Sequence, residues 1–60
     1  MKQLTLKQWQ AYQKEIISFL KQGREREVDI WIEAMVKNGY DKQHLKSLVR
    51  VSKQKIEIYS

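Results

Sequence analysis

Cysteine and proline are absent from this 60-residue chain, and it holds only two glycines and a single histidine. The lack of cysteine excludes disulfides and thiolate metal sites. One imidazole cannot build a histidine-rich metal site. Two isolated glycines cannot form a loop that cradles phosphate. No apolar run approaches the roughly 20 residues that a membrane span needs. The N-terminal MKQLTLKQWQ has no apolar core of the kind a signal peptide carries. The expectation is a soluble, mature protein in the cytoplasm, with no membrane attachment, no metal and no cofactor.

Acidic residues are the scarcer charge. Seven stand against 12 lysines and arginines, a net charge of +5. A basic balance suits nucleic acid, an acidic protein or plain solubility. The charge is uneven along the chain. Residues 1–22 carry four lysines and Glu15, a net +3. Residues 23–38 carry Arg24, Arg26 and Lys37 against Glu25, Glu27, Asp29 and Glu33, a net −1. Residues 39–60 return to a net +3.

A chain this short is at most one domain, and its core is small. Well-capped helices, its six aromatic residues or a partner chain must compensate, so a homodimer belongs among the expectations. Thr5-Leu6-Lys7-Gln8 has the form of a capping box, and Leu4 and Trp9 bracket it at the spacing of a hydrophobic staple. At about 100° per residue, Leu6, Trp9, Tyr12, Ile16, Ile17, Phe19 and Leu20 share one face. Lys7, Lys14 and Lys21 lie opposite and read as a solvated stripe. Gly23 supplies a C-cap. In the next helix Val28, Trp31, Ile32, Met35 and Val36 form the apolar face, and Ile30 projects away from it. Asn38-Gly39 ends that helix, and Asp41 opens a third. There the core face is Leu45, Leu48, Val49, Ser52 and Ile56, while Val51 and Ile58 sit on a flank.

The expected fold is therefore all-α, a small three-helix bundle with helices at about 5–21, 24–38 and 41–54. Val49-Arg50-Val51 and Ile56-Glu57-Ile58 alternate in a strand-like way. A hairpin there would turn at Lys53-Gln54, where neither residue favours positive φ. The final residues are read as an extended or frayed tail.

Catalysis finds little footing, because a nucleophile needs an adjacent base and an orienting group. His44 reads as a solvent-facing residue among lysines. Binding is the expected role, and two surfaces compete for it. The second and third helices resemble a helix-turn-helix, with Ala34 as the small residue facing the turn and Asn38-Gly39 as the turn. Ala34 to Gly39 spans five positions where that motif has four. On this reading Lys42, Gln43, His44, Lys46, Ser47, Arg50 and Lys53 reach nucleic acid in a regulatory role. Gln and Arg suit base edges, and lysines suit phosphates. The rival is an adaptor or inhibitor that presents a helix face, with Ile30, Val51 and Ile58, to a larger acidic protein.

Overall fold

The capping, stop and periodicity signals lead to three helices. A computed structural model describes residues 2–59, the side chains of Ile58 and Tyr59 excepted. It contains α1 (Leu6–Lys21), α2 (Glu25–Lys37) and α3 (Lys42–Tyr59), packed against one another as an all-α bundle. None of the described helices is long and apolar enough to cross a membrane.

Each boundary has a local cause. The Thr5 hydroxyl accepts the Gln8 backbone N–H at 3.1 Å, and the Gln8 carboxamide accepts the Thr5 N–H at 2.9 Å. The capping box thus satisfies two backbone donors that a helix start leaves free. At the other end of α1, Gly23 adopts φ +73°. The Gly23 and Arg24 N–H groups turn back onto the Leu20 and Phe19 carbonyls at 3.1 and 2.9 Å. This is a Schellman closure, which requires a residue at ease at positive φ. Gly39, at φ +93°, repeats it at the end of α2, with bonds from Gly39 to Val36 and from Tyr40 to Met35. The Asp41 carboxylate then accepts the Gln43 N–H at 3.3 Å and starts α3.

The extended or frayed tail expected after residue 54 is not observed. The helix continues to Tyr59. No proline or glycine follows Gly39 to interrupt it. Tertiary packing overrides the strand propensity of the β-branched pairs. Ile56 is half-buried on the core side, one turn beyond the fully buried Ser52. Ile58, expected on a partner-facing flank, belongs to this helix, and its side chain lies outside the described residues.

The core comprises Leu4, Ile16, Val28, Ile32, Leu45 and Leu48. Trp9, Tyr12, Phe19, Trp31 and Met35 pack around it, each half-buried. Tyr12 and Trp31 meet as a tilted pair with centroids 5.2 Å apart, joining α1 to the antiparallel α2. Leu6, placed on the apolar face by periodicity, is 75% exposed, and Leu4 takes the buried place before the helix begins. Ser52 is fully buried, and its hydroxyl donates to the Leu48 carbonyl at 2.8 Å. A small side chain there lets α3 approach its neighbours closely, and the backbone bond removes the penalty of a buried hydroxyl. The molecule is only 16 Å thick on its shortest axis, so it has one layer of buried side chains and no second to fall back on. Leu48→Ala is expected to cost about 2–5 kcal/mol, most of the stability of a domain this small. A urea melt followed by circular dichroism reads that loss directly.

Candidate nucleic-acid interface

The residues ahead of α1 decide how α3 is set. The Lys2 N–H donates to the Gly39 carbonyl at 2.9 Å, and the Lys2 carbonyl accepts the Asp41 N–H at 3.0 Å. This forms a single parallel bridge beside the α2–α3 turn. The Lys2 ammonium lies over the Tyr40 ring, 5.6 Å from its centroid. Two residues on, the Leu4 N–H donates to His44 Nε2 at 3.0 Å, and the imidazole tilts against Trp9 with centroids 5.1 Å apart.

His44 is therefore not the solvent-facing residue that its lysine neighbours suggested. It is half-buried and turned toward α1. With 3.6 residues per turn, His44 against α1 sends Leu45, Leu48 and Ser52 into the core. The opposite side of α3 carries Gln43, Lys46 and Arg50, all exposed, with half-buried Ser47 beside them. These four line one shallow concavity on the helix surface. The Ser47 hydroxyl donates to the Gln43 carbonyl at 3.0 Å, which leaves its oxygen able to accept. Lys42 is exposed at the start of the same helix.

Lys53 stands apart from this group. Its ammonium contacts the Glu25 carboxylate of α2 at 2.6 Å, with both side chains about half exposed (49% and 60%). Such a pair contributes at most about 1 kcal/mol, but it holds the lysine at the α2 edge. Arg24 and Glu27 form a similar local pair at 2.7 Å.

Two expectations about the turn meet the structure differently. Asn38-Gly39 makes the turn as anticipated, and the Asn38 side-chain amide adds a bond to the Ala34 carbonyl at 2.9 Å. Ala34 itself is exposed, so its methyl does not pack beneath α3. Contact between α2 and α3 is the least extensive of the three helix pairs, and that between α1 and α3 the most.

Comparison with family models, curated proteins and solved structures gives no match. The surface must be read from its own chemistry.

That chemistry is sorted by helix. α3 carries Lys42, Lys46, Arg50, Lys53 and Lys55 against Glu57, a net +4. α1 carries Lys7, Lys14 and Lys21 against Glu15, a net +2. α2 carries Arg26 and Lys37 against Glu25, Glu27, Asp29 and Glu33, a net −2. The clasp that Lys2 and Leu4 make with the α2–α3 turn and His44 has no local signature, because its partners are about 40 residues apart in the chain. His44→Ala removes both the acceptor for the Leu4 N–H and the ring against Trp9. The expected cost is about 1–3 kcal/mol in a denaturant titration, and an unchanged midpoint would contradict the clasp.

Proposed function

We propose that this protein is a non-catalytic, regulatory nucleic-acid-binding module that meets duplex DNA with the outer face of α3. The observation that carries the reading is the group of exposed Gln43, Lys46 and Arg50 with half-buried Ser47 in one concavity of the most basic helix. An α-helix fits the major groove of a duplex. Arg50 and Gln43 are of the types that pair with guanine and adenine edges, and Lys42 and Lys46 suit flanking phosphates. His44 and Lys53 fall outside the proposed contact, since the first is bonded to Leu4 and the second is paired with Glu25.

A second reading, as an adaptor or inhibitor of a larger protein, draws on Ile30. This side chain is 61% exposed on α2. Exposed isoleucine is ordinary when isolated, and the described neighbours Arg26 and Glu33 on that side are exposed charged residues. Val51, expected with Ile30 in a partner surface, is half-buried on α3.

An electrophoretic shift with random duplex DNA tests the first reading. Two α3 lysines on phosphates (Lys42 and Lys46) give a log–log salt slope of about −1.8, so affinity falls roughly 12-fold between about 50 and about 200 mM salt. The Lys46→Glu, Arg50→Glu double variant abolishes the shift, and Ile30→Ser leaves it intact. No shift at low salt removes the reading.

A further inference from the structure

A second and larger depression lies between α1 and α3. Lys7, Gln10 and Lys14 of α1 and Lys55 of α3 line it, with Glu15 contributing the one acid. Buried Gln13 is also part of its lining. The depression collects three ammonium groups and one carboxylate, a net +2. Among the described residues none of the three lysines has an ion-pair partner, in contrast to Lys53 and Arg24.

Periodicity alone assigns Lys7 and Lys14 to a solvated stripe. The fold changes their meaning, because it sets Lys55 from the far end of the chain across from them. The position of the depression relative to the α3 concavity follows from helix geometry. At about 100° per residue, Ser47 and Val51 fall between the Arg50 side of α3 and its Lys55 flank. Lys55 thus lies about 140° around α3 from Arg50, so the two basic surfaces adjoin around α3 rather than facing one way.

We infer that this α1–α3 depression seats the sugar-phosphate backbone of the duplex whose groove receives α3. The inference rests on the DNA reading above and adds the element that reading lacks. A helix-turn-helix lays its first helix across the backbone. Here that helix would be α2, whose net charge of −2 repels phosphate. The basic helix adjoining α3 is α1, and it carries lysines two turns apart, about 10 Å along its axis. Lys7, Lys14 and Lys55 supply charge, and Gln10 supplies a hydrogen-bond donor to a phosphate oxygen. Contacts of this kind position a protein and carry no sequence information.

The test is the salt dependence of binding to random duplex DNA, measured for the intact chain and for a Lys7→Gln, Lys14→Gln, Lys55→Gln triple variant. With both surfaces engaged, the wild-type log–log slope is about −4.5, and the triple variant brings it to about −1.8. Lys37→Gln on α2 leaves the slope unchanged. A wild-type slope of about −1.8, or a triple variant with the wild-type slope, overturns the α1–α3 seat and leaves the α3 reading standing. No binding by the wild-type protein overturns both. Lysine acylation of the unaltered protein gives a second readout that needs no variant. Bound DNA protects Lys7, Lys14 and Lys55 and leaves Lys37 reactive, whereas equal reactivity with and without DNA overturns the seat. Binding to anionic vesicles that displaces the duplex without sensitivity to Arg50→Glu assigns the depression to a lipid surface and overturns it as well.

Discussion

The hydrogen bond from the Leu4 N–H to His44 Nε2 holds the arrangement on which the rest depends. With the Lys2 bridge to Gly39 and Asp41, it ties the start of the chain to the start of α3. A rotation of α3 by half a turn would bury Arg50 and expose Leu48, so the outward chemistry depends on this rotational setting. A domain of this length has a total stability of roughly 3–9 kcal/mol. Net hydrogen bonds contribute about 0.5–1.5 kcal/mol each. Three of them at one junction are therefore a sizeable share, where they would be minor in a larger protein. The clasp also places Leu4 in the core, adding apolar burial to a molecule that has little.

Charge is arranged on this frame by helix. The side built from α1 and α3 is basic, and α2 is acidic. Ion pairing follows the same division. Glu25 engages Lys53 at the α2 edge, while the described cations of the outer α3 face and of the α1–α3 depression have no carboxylate partner. Field strength at a surface depends on such sorting more than on net charge, since interspersed charges cancel within a Debye length of about 8–10 Å. The proposed function and the α1–α3 seat both draw on this asymmetry.

Much of the fold could be read from the residues, because its signals are local. The capping box at Thr5, the glycine stops at 23 and 39 and the Asp41 cap each act within a few residues, and all appear in the structure. The apolar stripes located Ile16, Val28, Ile32, Leu45 and Leu48 in the core. What escaped was decided at long range. The final turns of α3 were open to strand or tail until packing around Ser52 and Ile56 carried the helix on. His44 looked solvated until Leu4 and Trp9, far away in the chain, were brought to it. Leu6, expected on the apolar face, is exposed, while the Gln13 side chain on the same helix is buried. Gln43, Lys46, Ser47 and Arg50 were legible as one outward group, because a single helix arranges them. Lys53 was not separable from them until Glu25 lay opposite.

The most direct measurement is an amide chemical-shift map of the protein titrated with random duplex DNA at low salt. The largest shifts are expected at Gln43, Lys46, Ser47 and Arg50, with smaller ones along the α1 flank of α3 and almost none across the middle of α2. Shifts concentrated around Ile30, with α3 silent, would contradict it.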